Sequence, residues 1–172
     1  ISDDFIWLAY VTARYASTTG DDGILKEEIQ FLSAPPLKPE EHDRYALFEA
    51  HGKASLLDHC DRALSHMMAT GAHGLPLMGT GDWNDGMDRI GDKGQGESVW
   101  LAWFQIATIT LFAPLLERHG RSDRAGELRH HADDLAEAIT HRAWDGEWFV
   151  RAFDDEGIPW GSASNDECQI DA

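Results

Sequence analysis

Asp82, Asp85 and Asp88 stand at i, i+3 and i+6 in the run Gly79-Thr80-Gly81-Asp82-Trp83-Asn84-Asp85-Gly86-Met87-Asp88-Arg89-Ile90-Gly91, with a tryptophan between the first two. Three carboxyl groups held close together cannot all stay ionised. Such a cluster pushes one of them toward keeping its proton near neutral pH, the state a general acid needs. The indole of Trp83 offers a flat apolar face for a sugar ring and, by lowering the local dielectric, raises the nearest carboxyl further. In outline, this is a site for cleaving a glycosidic bond.

Other chemistries fail on spacing. An EF-hand loop counted from Asp82 needs Gly at its sixth place and Glu at its twelfth, where this chain has Met87 and Lys93. A phosphate-cradling Walker loop needs Gly-Lys-Ser/Thr, which Asp92-Lys93-Gly94 does not supply. The chain has 9 histidines, but His130 and His131 are neighbours that point to different sides of a helix, and His51, His59, His66 and His73 are scattered, so no metal site is expected. The bland alternative is a solvated acidic turn. Against it, residues 71–96 contain eight of the chain's 16 glycines together with Leu75, Pro76, Leu77, Met78, Trp83, Met87 and Ile90. That is too apolar for a disordered linker, and long ordered loops tend to be functional.

Four helices are predicted to position this loop. The first runs from Ser2, as N-cap with Asp3 and Asp4 in its first turn, to about Thr18 before Gly20, and its apolar residues go most of the way round. The second, about 55–69, is amphipathic. The third, about 98–118, is apolar on every face, and the fourth, about 122–142, returns to a single stripe. Helices buried all round thus alternate with helices buried on one side, the signature of two concentric layers. The expected fold is all-α: part of an α/α toroid of inner and outer helix hairpins, carrying a long glycine-rich catalytic loop. Residues 33–52, with Pro35, Pro36 and Pro39, read as an irregular surface connection, and 148–153 with 158–161 as a small hairpin around Asp154-Asp155-Glu156-Gly157.

Lys and Arg total 14 against 31 Asp and Glu, a net charge of −17, which argues against nucleic acid or an anionic membrane as partner. From Val99 to Leu116 run 18 residues without a formal charge, near the length of a membrane span. Gln105, Thr108, Thr110, Pro114 and the soluble-type cap at Ser98 favour a buried inner helix instead. Cys60 and Cys168 are too few and too far apart to read as a disulfide framework, and mildly favour a reducing compartment.

The run 74–87 (Gly-Leu-Pro-Leu-Met-Gly-Thr-Gly-Asp-Trp-Asn-Asp-Gly-Met) and the following Gly96-Glu97-Ser98-Val99-Trp100-Leu101 resemble glycoside hydrolase family 94, the inverting phosphorylases of cellobiose and chitobiose. Within that family the likeness is greatest to the phosphorylase-type domain of cyclic β-1,2-glucan synthases. The opening Ile1–Leu8 and closing Gly161–Asp171 fit the same pattern, so the resemblance spans nearly the whole chain. It implies an (α/α)6 toroid. Family catalytic domains are several times longer than 172 residues, and the chain begins mid-pattern with neither an initiator Met nor a signal peptide, so residues 1–172 are expected to be a fragment of one such domain, incomplete and inactive alone. Apolar surface left open by absent neighbours would make the fragment self-associate.

The resemblance also implies roles. The second Asp of the family's Asp-Trp-Asn-Asp motif, here Asp85, is the general acid; Asp82 and Trp83 shape the donor-sugar subsite, and Asn84 orients it. An acidic residue at the start of the first helix, Asp4 or otherwise Asp3, contacts donor hydroxyls. Asp88 departs from the pattern, since close relatives commonly carry Asn there. No cofactor is implied, only inorganic phosphate as co-substrate with a β-glucan or disaccharide. Phosphate is already anionic and takes the place of water activated by a base, so one protein carboxyl suffices and the product is a sugar 1-phosphate of inverted configuration. The phosphate ligands are expected outside this chain. The parent is expected to work on the cytoplasmic side, in association with the inner membrane. Two alternatives stand beside this: an inverting hydrolase using Glu97 or Glu167 as base, and a non-catalytic glycan-binding or structural fragment.

Overall fold

In a computed structural model, residues 2–35, 45 and 47–167 are described. Among them are α1 (Asp4–Thr19), α2 (Leu56–His66), α3 (Val99–Arg118) and α4 (Ser122–Ala138), and five short strands, β1 (Glu28–Ser33), β2 (Glu49–Ser55), β3 (Glu97–Ser98), β4 (Ala152–Phe153) and β5 (Pro159–Trp160). About half the chain is helical. The expectation of an all-α fold is corrected by two small antiparallel sheets, β1-β2 and β3-β4-β5.

Local chemistry sets most of the helix ends. The Ser55 hydroxyl accepts from the Asp58 N–H while the Asp58 carboxylate accepts from the Ser55 N–H, a reciprocal capping box that starts α2. Ser98 caps α3 by accepting from the Leu101 N–H at 3.0 Å. Gly20 ends α1 in the left-handed region, its N–H donating to the Ala16 carbonyl. Three predicted boundaries move. Ser2 does not cap α1; its hydroxyl is held by the carbonyls of Met78 and Gly81, and Asp3 takes the cap position without a side-chain bond. The second helix stops at His66, short of Ala69. The fourth widens into a π-helical turn over Ile139–Ala143.

α1 packs against both α2 and α3, and α3 against α4. Ala9, Ala13 and Ala16 give α1 a small-residue face, which Cys60 and Leu64 of α2 and Ile109, Phe112 and Ala113 of α3 close over. The Cys60 thiol is buried here and pushed up to about 11 by that burial; Cys168 lies outside the described residues. α3 is long and apolar enough to cross a membrane by length and composition, yet Leu101, Ala102, Ile109, Phe112, Leu115 and Leu116 are buried within the chain. It is not covered on every side, because Trp103 remains 46% exposed. Nor is α1, whose Phe5, Leu8, Val11 and Tyr15 face outward.

The interval 33–52 is only partly the irregular connection expected. β2 begins at Glu49 and pairs with β1, and this hairpin docks on α2 where Phe31 stacks on His59 at 4.0 Å and Arg62 lies 5.0 Å from the Phe31 ring centre. Residues 36–44 are outside the described set. The hairpin predicted around residues 154–157 is present as β4 and β5, and β3 at the mouth of α3 joins it as a third strand.

Candidate active site

The loop between α2 and α3 is held down along its flanks. Its first part is drawn in by Glu97, 1% exposed, whose carboxylate accepts from the N–H groups of His73 and Leu75 and lies 2.5 Å from His73 Nδ1. Its last part is drawn in by Asp155, which accepts from the N–H groups of Lys93, Gln95 and Gly96. Burial pushes the Asp155 carboxyl up, but the three N–H donors outweigh it and leave it below the ordinary range. Met78, Met87 and Ile90 are packed with Ala152 beneath the loop. A methyl group on Gly96 would strike the Ile90 carbonyl, and one on Gly91 would come 3.0 Å from the Gly79 carbonyl, so the segments at 79, 90–91 and 96 pack at distances only glycine permits.

At the centre of this base lies Asp82, with no exposed surface. Arg151 Nη2 reaches both of its oxygens, at 2.5 and 2.7 Å, the Ser98 hydroxyl donates to Oδ2 at 2.6 Å, and the Asn84 N–H donates to Oδ1 at 3.0 Å. The three-carboxylate cluster expected from spacing is therefore not formed. Asp82 turns inward onto a guanidinium, while Asp85 and Asp88 are exposed. Asp88 lines a cavity of about 360 Å³ with Thr80, Arg89 and Asp92.

The tip is different. Asn84 caps a 3₁₀ turn over Asp85–Met87, accepting from the Gly86 N–H at 3.1 Å, and Asp85 is the first residue of that turn. Its side chain makes no hydrogen bond or ion pair among the described residues. Trp83, 66% exposed, has its ring centre 6.1 Å from Trp7 and 6.4 Å from Trp100, nearly parallel to the latter. Phe104 and Tyr10 continue this aromatic wall along α3 and α1. Asp3, 3% exposed, accepts from Trp7 Nε1 at 2.8 Å through Oδ2, and its Oδ1 is buried without a partner among the described residues. Asp4 lies on the exposed side of the first turn of α1. The structure thus brings Asp3, Trp7, Trp83 and Trp100 together, with Asp85 two residues beyond Trp83.

Glu97, expected as a base if the chain were a hydrolase, has its carboxylate occupied by loop N–H groups and His73. Glu167 is exposed beside β5, its carbonyl accepting from the Gly161 N–H. Among the described residues no group of three or more His, Cys, Asp or Glu side chains is placed to hold a metal ion. Sequence reasoning did not single out Arg151, Trp7 or Tyr10. Arg151 had a visible signal, a lone charge in the otherwise apolar run Trp148–Phe153.

The site is thus an exposed acid beside an indole, on a loop braced from below by buried carboxylates, in a chain about half helical. The chain belongs to the Glycosyl hydrolase 94 superfamily, catalytic domain, which it matches over residues 1–172. It is 41% identical, over 100% of its length, to a cyclic β-(1,2)-glucan synthase NdvB of Rhizobium meliloti (strain 1021), of which it covers 6%. To a 3-O-β-D-glucopyranosyl-β-D-glucuronide phosphorylase of Paenibacillus borealis it is 32% identical, covering 98% of this chain and 20% of that protein. A cellobionic acid phosphorylase of Neurospora crassa is 29% identical over 98% of the chain and 19% of its own length. The chain therefore spans a fifth or less of each of these relatives.

Proposed function

We propose that the chain is part of an inverting β-glucoside phosphorylase domain, of the kind carried by cyclic β-1,2-glucan synthases, that transfers a glucosyl unit from a β-glucan or disaccharide to inorganic phosphate. Asp85 acts as the acid that protonates the departing glycosidic oxygen. Trp83 and the wall behind it carry the donor sugar, Asn84 sets the turn that presents the acid, and Asp3, ahead of Asp4, receives a donor hydroxyl. The observation that carries this reading is the division of the acidic motif: Asp82 is sealed against Arg151, so the carboxyl free to meet a substrate beside Trp83 is Asp85.

Charge accounting supports phosphorolysis over hydrolysis in this reading. Hydrolysis with inversion needs a second carboxylate to activate water. Glu97, one of the two carboxylates considered, is buried and bound to three loop groups. Phosphate brings its own negative charge and needs only cationic and hydroxyl ligands, which would come from parts of the catalytic domain beyond these residues. The two hairpins, α1 with α2 and α3 with α4, are read as adjacent inner and outer pairs of an (α/α)6 toroid, since α1 and α3 lie side by side and each carries its own partner. The outward apolar face of α1 would meet the next pair in the complete domain, and would make the isolated chain self-associate.

The test is a panel of β-linked glucobioses supplied with phosphate to the full-length protein, with α-glucose 1-phosphate as the measured product. Asp85→Asn keeps the side-chain shape and removes the proton, and is expected to lower kcat by about 10²–10⁴ with little change in KM. Phosphate-independent release of glucose, or near-normal phosphorolysis by Asp85→Asn alongside loss in Asp88→Asn, would overturn the assignment.

A further inference from the structure

Arg151 stands 69 residues from Asp82 in sequence, immediately before β4, and its side chain is 8% exposed. Among the described residues no hydrogen bond or ion pair joins it to the aromatic wall or to Asp85. Its guanidinium instead ties two residues: Nη2 holds both oxygens of Asp82, and Nη1 donates to the Ser98 hydroxyl at 3.2 Å, the same hydroxyl that caps α3 and donates to Asp82. From Asp82 the connection runs outward through one bond, Asn84 N–H to Oδ1, into a residue that shapes the acid's turn twice. The Asn84 side chain accepts from the Gly86 N–H, and its carbonyl accepts from the Met87 N–H at 3.0 Å. Asp85 sits between these fixed points. Loss of the fork would leave a buried carboxylate unpaired, and Asp82 would turn or take up water, releasing Asn84 and the turn with it.

We propose that Arg151 is a positioning residue for the acid Asp85, acting through Asp82 and the Asn84 backbone. The proposal rests on Asp85 being the proton donor. A general acid contributes only when its proton lies within hydrogen-bond reach of the leaving oxygen, and a shift of about 1 Å imposed from a distance can cost about 10²-fold. Nη2 bridges both oxygens of Asp82 while Nη1 holds the Ser98 hydroxyl that donates to the same carboxylate, so one planar guanidinium fixes carboxylate and hydroxyl together. Lysine supplies the same charge as a single point and cannot hold Asp82 and Ser98 at once in a fixed plane.

The experiment compares two donors on the same preparation of full-length protein: the β-linked glucobiose that the unmodified protein phosphorolyses fastest, and the β-glucoside of a dinitrophenol. The second leaving group departs as a stable anion and needs no proton. The ratio of kcat on the two donors is independent of the fraction of protein that folds, so partial instability does not mask the result. Arg151→Lys, which retains a buried cation against Asp82, is expected to lower kcat on the disaccharide about 10²-fold and to leave kcat on the aryl glucoside within a few-fold of normal. Arg151→Met should shift the ratio further in the same direction. Equal losses on both donors, or a ratio unchanged from the parent in Arg151→Lys, would sink the inference and leave Arg151 a purely structural ion-pair partner. Asp85→Asn measured in parallel separates the two failures. If it spares the disaccharide reaction, the assignment of the acid is at fault; if it shifts the ratio while Arg151→Lys does not, only the positioning role is.

Discussion

The base and the tip of the loop from 71 to 96 are built on opposite rules. In the base, every carboxylate has a fixed set of partners: Glu97 holds the backbone at 73 and 75, Asp82 holds Arg151 and Ser98, and Asp155 holds the backbone at 93, 95 and 96. At the tip, Trp83, Asn84 and Asp85 are exposed, with one 3₁₀ turn to give them shape. Burying a charge is tolerable only when it is paired and hydrogen-bonded. A group that must give up a proton to a substrate cannot have its carboxyl already committed. The motif places carboxylates of both kinds within four residues, and burial sorts them.

The largest stability effect should come from breaking the base. Asp82→Ala removes one member of a buried ion pair and leaves the Arg151 guanidinium stranded, which costs on the order of 3–5 kcal/mol. The expected result is a large fall in the urea midpoint, whereas Asp85→Asn should leave that midpoint where it is. Equal midpoints for the two variants would remove the distinction between base and tip.

Next in size is Gly96→Ala. Its Cβ would overlap the Ile90 carbonyl and come 2.6 Å from Gly91 Cα, so the backbone at 96 must move away from that at 90–91, at about 1–3 kcal/mol by the usual cost of overpacking. Proteolysis of the variant should begin within 71–96. Cleavage rates unchanged from the parent would show that the close packing of Gly96 on Ile90 and Gly91 contributes nothing to order.

The helices and the order of the loop were legible in the sequence; the division between base and tip was not, and the reason is physical. The helices could be read because their apolar spacing and caps are local: Ser55 with Asp58, Ser98, and Gly20 all do what their residue types allow. The loop could be read as ordered from Met78, Met87 and Ile90, which are its buried anchors. The direction in which Asp82 turns could not be read, because its partner is 69 residues away and spacing within a motif says nothing about a distant arginine. β1 and β2 were missed for a different reason. Both are mostly exposed, so they lack the apolar alternation that marks a half-buried strand. Ser2 was assigned a helix cap on residue type alone, while the carbonyls of Met78 and Gly81, distant in sequence, had the stronger claim on its hydroxyl.

The helical bundle beneath the base should also respond to pH, with an effect smaller than either substitution. His131 lies between α4 and α3, with Nε2 2.9 Å from Gln105 Oε1, and Gln105 in turn donates to the Met67 carbonyl. Burial pushes the His131 imidazole below its ordinary value, so the folded chain holds fewer protons there than the unfolded chain. Stability from this group is therefore present above the unfolded value near 6.5 and is lost as pH falls through the lower folded value. Urea midpoints measured from pH 8 to pH 5 should decline, and His131→Gln should flatten the decline. A parent profile that rises toward pH 5 would contradict the burial of a neutral imidazole.

The smallest stability effect should be at Trp83, and it isolates the tip from everything under it. An exposed side chain leaning on Trp7 and Trp100 at ring distances beyond 6 Å contributes little to folding, so Trp83→Ala should change stability by about 0.5 kcal/mol or less. Its effect on function should be the reverse. A sugar laid against the indole loses its apolar platform, and since that contact exists in the bound substrate as well as in the transition state, KM should rise more than kcat falls. The proposed proton donor, Asp85, is left in place, so the ratio of rates on the disaccharide and on the dinitrophenyl glucoside should stay near that of the parent, unlike in Asp85→Asn. If Trp83→Ala instead lowered the urea midpoint as far as Asp82→Ala does, the tip would be part of the fold's own support, and the exposure of Asp85 beside it could no longer be read as readiness for a substrate.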